Sequence, residues 1–388
     1  MIRSQQRFLG INIGMGFGSG GGFQPGFAIR FSAIVCALIL MSLAGCKGSL
    51  SGNVQGNAAV EPMPSSGCGG VPAVWSFHPE APKTSPADTA GVTTRWVAST
   101  NWQIAVNSAG QPKQYLSYGG DFDPSWSKTG SMLAYFHPLY MGARFDQWRN
   151  AICVIHSDGS QPTALSTGKY TDFSPTWTRD GTNRVIFNRY AVRGETSNDI
   201  YLISPDGAPG SEVLVSTPEN GYEHAFSGLK DGRIFIDRID WSGGRAVAKS
   251  FLLTPKPGGV PGYQEITRPI TENQLWQAVS VSPSETRIAY MLDGDGDMVS
   301  RNDNVLYYAD FDARTGVVSH PVAITSYDLS QVSENPSWSA DESMIIYDSN
   351  RSGVYQMYAY NLANHTTTLL SGNPAMNFQS ASFENVPK

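Results

Sequence analysis

The segment ENPSWSADESMIIY, residues 334–347, returns along this chain in recognisable copies: GDFDPSWSKTGSMLAY at 120–135 and TDFSPTWTRDGTNRVIF at 171–187. Each copy runs from an Asp, Glu or Asn lead-in through Pro, one spacer, Trp, a hydroxyl residue and a polar turn into an alternating apolar strand. Two weaker copies, HAFSGLKDGRIF at 224–235 and SVSPSETRIAY at 280–290, keep the skeleton, with Phe226 and Val281 standing where the others have Trp. The stations Trp126, Trp177, Phe226, Val281 and Trp338 lie 51, 49, 55 and 57 residues apart, a period that marks solenoids and propellers. Between stations sits a second block of strand, turn and strand, such as NAICVIHSDGSQPTAL from Asn150 and NVLYYADFDARTG from Asn304. Two hairpins per repeat make a four-stranded blade. Asp-Gly and Asn-rich turns without helical periodicity between them favour radial repetition of sheets over a sandwich.

Phe383 occupies a sixth station, but no apolar strand follows it. The missing strand is supplied by TTRWVA at 93–98, which precedes WQIAVN from Trp102 in the order seen within the other repeats. The expectation is therefore an all-β fold, a six-bladed β-propeller of four-stranded blades over 93–388, closed by an N-terminal strand that completes the C-terminal blade. Such closure removes the exposed edges of an open array.

These residues resemble the TolB-type, WD-like β-propeller repeat, whose pattern runs Pro, any residue, Trp-Ser, any residue, Asp-Gly and a short apolar strand. The resemblance covers the chain from about residue 93 onward. It implies a propeller that binds a protein or peptide. TolB itself carries an α/β domain ahead of its propeller, whereas the corresponding region here is short and polar, so a role in the Tol system does not transfer.

Ahead of the repeats, Arg30 precedes the apolar run FSAIVCALILMSL, which leads into LAGC at Cys46. The run is short for a membrane span and right for a signal h-region, with an uncleaved anchor helix as the alternative. LAGC resembles the bacterial lipobox, which implies acylation at Cys46, and Lys47 after it implies sorting to the outer membrane. Residues 1–45 are thus expected to be a lipoprotein signal peptide. Residues 46–92, rich in Ser, Gly, Pro and Ala, form a tether that cannot offset its ordering entropy by burial. Once Cys36 leaves with the signal and Cys46 takes lipid, Cys68 and Cys153 remain, either as a disulfide or as two unrelated thiols. The formal net charge is −6, and the propeller and tether alone hold 24 basic against 33 acidic residues, so no basic stripe is left to hold nucleic acid.

Propellers present the segments leading into their innermost strands around one mouth of the central channel. Those segments hold Asp121, Asp123, Asp172, Glu223, His224, Trp276 and Phe378. They suggest an acidic funnel with aromatic walls, suited to a cation or a basic peptide end. The plainer alternative is that the acids cap backbone N–H groups at the blade edge. In the loop LDGDGDMVSRNDN, Asp293, Asp295 and Asp297 alternate with Gly and Asp303 follows, a set that reads first as a hydrated acidic turn, with convergence on calcium as its rival; apart from that calcium no cofactor is expected. It departs from the EF-hand, which wants Gly and Glu where Met298 and Asn304 stand. No two of the six His share a metal-ligand spacing, and neither a G-x-S-x-G elbow nor an H-E-x-x-H motif is present. His224 with Glu223 suits a metal or acid/base pair, against a satisfied rim histidine.

The function expected from these readings is non-enzymatic: a monomeric propeller, lipid-anchored at the outer membrane and facing the periplasm, that binds an envelope protein or peptide. The alternative is a propeller enzyme or carbohydrate-binding protein acting on a polysaccharide in the channel, since carboxylates beside Trp suit sugars.

Overall fold

The structure, a computed structural model, describes residues 96–100, 103–107, 114–116, 121–140, 148–190, 197–216, 222–242, 245–269, 275–293, 304–328, 331–370 and 378–383. The expected signal and tether, with Cys46 and Cys68, lie outside the described residues, as do Asp295, Asp297 and Asp303. Among the described residues every regular element is a β-strand, and no helix is long and apolar enough to cross a membrane.

Strands β1 (Trp96–Thr100), β2 (Gln103–Asn107) and β3 (Gln114–Tyr115) share a four-stranded sheet with the last strand of the chain, β24 (Phe378–Phe383), in the order β24-β1-β2-β3. The pairing of β1 with β24 is antiparallel, from Trp96 opposite Phe383 to Thr100 opposite Phe378. The repeats then follow in order. The first contains β4 (Phe122–Trp126), β5 (Met132–Tyr140), β6 (Arg149–His156) and β7 (Thr163–Ala164). The second contains β8 (Thr171–Trp177), β9 (Val185–Tyr190), β10 (Asn198–Ile203) and β11 (Val213–Leu214), and the third β12 (Tyr222–Gly228), β13 (Ile234–Ser242), β14 (Arg245–Thr254) and β15 (Gly262–Glu265). Single parallel bridges, Asn150 to Thr171 and Asn198 to Tyr222, join these three sets into one 12-stranded sheet. Separate four-stranded sheets follow: β16 (Leu275–Val281), β17 (Arg287–Asp293), β18 (Asn304–Asp312) and β19 (Val317–Ala323), then β20 (Ser333–Trp338), β21 (Met344–Ser349), β22 (Gln356–Asn361) and β23 (Thr366–Leu369). The first strands of these sets neighbour one another in the cyclic order β4, β8, β12, β16, β20, β24 and back to β4.

The repeat motif owes its residue types to this arrangement. Among β4, β8, β16 and β20 each first strand carries its bulge just before the station, at Asp123-Pro124, Ser174-Pro175, Ala278-Val279 and Asn335-Pro336. An unpaired bulge residue needs no ladder N–H, which is where a strand tolerates Pro. The station Trp ties one first strand to the preceding one: Trp177 Nε1 donates to the Ser125 carbonyl at 2.9 Å and Trp338 Nε1 to the Ser280 carbonyl at 3.0 Å. In the polar turn the Asp carboxylate accepts the backbone N–H two residues on, as Asp180 does from Thr182 and Asp341 from Ser343. Cys153 is buried in β6 and disulfide-bonded, and the other three cysteines, Cys68 included, lie outside the described residues.

One station differs from the sequence reading. Each first hairpin is closed by the N–H of the residue after the station, from Ser127, Thr178, Leu229, Ser282 and Ser339. In the third repeat the station is therefore Gly228, not Phe226. The turn there is one residue shorter than in the first, fourth and fifth repeats, and Phe235 falls one place ahead of the other closing aromatics, so counting back from it lands two residues early. Gly228 passes so close to the second repeat that an added Cβ would lie 2.6 Å from the Trp177 carbonyl oxygen. No side chain fits at this station.

Candidate functional site at the half-buried face of the first strands

The side chains of the first strands alternate between a buried and a half-buried face. On β4, β8, β16 and β20 the half-buried positions next to the station are Asp123 and Ser125, Ser174 and Thr176, Ala278 and Ser280, and Asn335 and Ser337. Asp123, Ser174, Ala278 and Asn335 all have positive φ, between 45° and 53°. A left-handed conformation at a non-glycine residue costs roughly 1–2 kcal/mol, and it is held here by the bulge. The result is a face lined with hydroxyls and small polar groups, on which Ser174 Oγ donates to Asp123 Oδ2 at 3.1 Å across two adjacent strands.

Strand β12 presents a different face. Its ladder stays regular through Ala225 opposite Ile236 and is interrupted only at Phe226. A displacement of one residue exchanges the two faces of a strand. Accordingly His224 and Phe226 are the half-buried residues of β12, while Ala225 and Ser227 are buried. The two rings stack at 4.7 Å, and the Phe173 ring meets His224 edge-on at 5.6 Å. Burial among these rings pushes the His224 imidazole down to about 4, so it is neutral at physiological pH. The half-buried face thus combines one aromatic sector with small polar residues elsewhere.

Of the expected mouth residues, Asp123 and His224 lie on this face. Asp121, Asp172, Glu223 and Trp276 are buried, at 0–2% exposure. The acids among them are engaged across the ladder by a base on the second strand. Asp121 accepts from His137 Nδ1 at 2.8 Å. Asp172 binds Arg189 through both oxygens, at 2.7 and 3.0 Å, and Arg189 also binds Glu212 at 2.7 Å. Glu223 takes Arg238 and the Tyr263 hydroxyl. Burial works against the charge on Arg189, but Asp172 and Glu212 outweigh it and hold the guanidinium above its ordinary range. Trp276 is stacked on Tyr290 at 4.4 Å as part of the core. Phe378 opens β24, opposite Thr100. The acids at Asp121, Asp172 and Glu223 form a row of internal pairs; on β4 and β8 the bulge turns the position five before the station inward, and on β12 Glu223 alternates with the half-buried His224.

Two acids on second strands went unnoticed in the sequence. Asp237 lies opposite His224 and accepts from Ser250 Oγ; burial raises it to about 7, with Arg268 and Ser250 pulling the other way. Asp348 lies opposite Glu334, and both are buried. Their signal was present only as acids within apolar strands.

Toward the other end of the first strands, Arg179 reaches past the third repeat to the fourth, donating to the Val281 and Ser282 carbonyls at 3.1 and 3.0 Å. Lys128 Nζ donates in turn to the Arg179 carbonyl at 3.0 Å. Asp293 is the last residue of β17, buried and in register with Leu275 and Asn304, so the first acid of the expected calcium loop belongs to a sheet. Among the described residues no group of three His, Cys, Asp or Glu is placed to hold a metal ion.

No family model matches this chain, and no curated protein matches it in sequence. Solved structures do. TolB from Acinetobacter baumannii superposes with a TM-score of 0.55 at 14% identity, over 75% of this chain and 66% of that one. Hydrazine synthase of Kuenenia stuttgartiensis gives 0.57 at 13% identity, over 77% and 48%. A chain of the nidogen/laminin complex gives 0.50 at 8% identity, over 76% and 100%. This chain spans less than two thirds of the first two. At such identities the likeness shows the fold alone: an all-β fold of the propeller type, similar to TolB.

Proposed function

We propose that this protein is a non-enzymatic six-bladed propeller that binds a protein or peptide on the face formed by Asp123, Ser174, His224, Phe226, Ala278 and Asn335. The cyclic neighbourhood of the first strands and the pairing of β1 with β24 support six blades closed by the two chain ends. The observation that carries the binding reading is the half-buried face itself. A stacked aromatic pair beside hydroxyls, an amide and one carboxylate offers area and hydrogen bonds to a polypeptide, while the neutral His224 is packed among rings. The likeness to TolB supports the same reading at the level of fold. An outer-membrane lipid anchor at Cys46 is part of this proposal and rests on the LAGC motif.

A photoreactive residue placed at Asn335, irradiated in intact envelopes, tests it. The expected outcome is a defined protein adduct, formed at least tenfold less when Phe226→Ala or Asp123→Arg is added. Labelling that both variants leave unchanged, or protection of the site by oligosaccharides and by no protein, overturns the binding reading in favour of the carbohydrate one. The same experiment on Cys46→Ser separates the anchor from the face: release into the soluble fraction with the adduct retained is the result expected of an anchored binder.

A further inference from the structure

Where the first strands end, the turns that follow them are tied to one another around the cycle. Lys128, in the turn after β4, donates to the Arg179 carbonyl at 3.0 Å. The Lys230 N–H, after β12, donates to Glu285 Oε1 at 2.6 Å. Glu342, after β20, accepts from the Ser284 N–H and binds Arg287 at 2.8 Å. Each of these bonds joins a repeat to its neighbour. The Arg179 side chain differs, because it joins the second repeat to the fourth.

Two features let one side chain cover that distance. Gly228 presses the end of β12 against the second repeat, where an added Cβ would lie 2.6 Å from the Trp177 carbonyl oxygen and 2.9 Å from the Thr178 Cα. The Val281 N–H is drawn to the other side of β12, donating to Ser227 Oγ at 3.4 Å. The third repeat is thus narrow at this end. The guanidinium then meets two successive main-chain carbonyls, of Val281 and Ser282, at 3.1 and 3.0 Å, an arrangement that suits its planar fork. Arg189, Arg238 and Arg287 bind carboxylates instead. Burial lowers the Arg179 guanidinium below its ordinary value, with Glu285 and Glu342 pulling the other way.

A bond between next-but-one members of a ring runs as a chord inside it and not along its rim. We propose that Arg179 bars the central channel at this end, leaving a pocket that opens only where the first strands begin. The inference rests on the propeller reading above and narrows it: the partner offers a chain end or a loop that enters and withdraws by one mouth, not a polypeptide threaded through the ring. The half-buried residues are ordered accordingly. Ser174, Ala278 and Asn335 lie toward the open mouth, and Thr176, Ser280 and Ser337 toward the barred end.

The test is thiol labelling of the full-length protein carrying one added cysteine, by Ser174→Cys or Asn335→Cys near the open mouth and by Thr176→Cys or Ser280→Cys near the barred end. The reagent is a maleimide on a polyethylene glycol chain too bulky to follow its head into the channel, and the chain without the added cysteine supplies the background. Two charge-assisted hydrogen bonds shift a local opening by well over a factor of about ten, so Arg179→Ala should speed labelling at Thr176→Cys and Ser280→Cys by about tenfold or more and leave Ser174→Cys and Asn335→Cys within about twofold. Arg179→Met, which keeps an apolar stem and loses both bonds, serves if Arg179→Ala does not fold. No gain near the barred end, or an equal gain at all four positions, would overturn the proposal. The readout needs no partner, so its failure is distinct from a failure of the envelope crosslinking.

Discussion

Three rungs on the first strands pose one problem, a buried acid, and solve it three ways. Asp172 faces Arg189 and is neutralised by a bidentate pair. Asp237 faces His224, a ring held neutral, and keeps its own proton near neutral pH. Glu334 faces Asp348, acid opposite acid, and accepts from the Tyr355 hydroxyl at 3.5 Å. An acid's effect on such a fold is set by what stands opposite it, and the opposite residue lies 13 to 17 positions away in sequence. A tally of carboxylates near the mouth therefore says little about the charge presented there.

The comparison is broken most severely at its paired member. Arg189→Met removes the base and leaves Asp172 and Glu212 buried beside each other, a change expected to cost about 3–5 kcal/mol in urea or thermal unfolding. A loss under about 1 kcal/mol would mean that the pair is not a buried one. The middle member makes a smaller, pH-resolved prediction. Because Asp237 is raised to about 7 when folded, its contribution is complete below the ordinary carboxylate value and fades as pH rises through about 7. Asp237→Asn should therefore gain relative to wild type between pH 5 and pH 8 in melting temperature, and parallel curves would place the Asp237 proton elsewhere. The smallest effect belongs to a pair in water. Lys249 and Glu265 lie 3.1 Å apart and about half exposed, and Lys249→Ala should change stability by less than about 0.5 kcal/mol. A cost approaching that of Arg189→Met would show that burial is not what separates these pairs.

Of the mouth residues read from the sequence, Asp123 and His224 lie on the half-buried face of the first strands. Asp121 and Asp172 face inward because the bulge between them and the station shifts the alternation by one residue, whereas Glu223 was reached by counting back from Phe226, two residues ahead of the station Gly228. Ser174, Ala278 and Asn335 could have been picked out as the equivalents of Asp123, directly before the Pro of the motif or its Val279 counterpart. Phe226 was assigned to the station, whereas it stands beside His224 on the half-buried face and Gly228 holds the station.

What the sequence determined by itself is the part of the fold written in short-range pattern. The recurring Pro-x-Trp skeleton, the Asp-Gly turns and the alternation of apolar residues specify hairpins from neighbours a few positions apart, and their repetition specifies an all-β chain of similar units. What only the tertiary structure decided is long-range: which base crosses to which acid, where the bulge falls on β12, and how Arg179 spans to the Val281 and Ser282 carbonyls. These depend on contacts between residues 13 to more than 100 positions apart. Local propensity does not encode them, because a carboxylate reads the same in sequence whether a guanidinium or another carboxylate is brought opposite it.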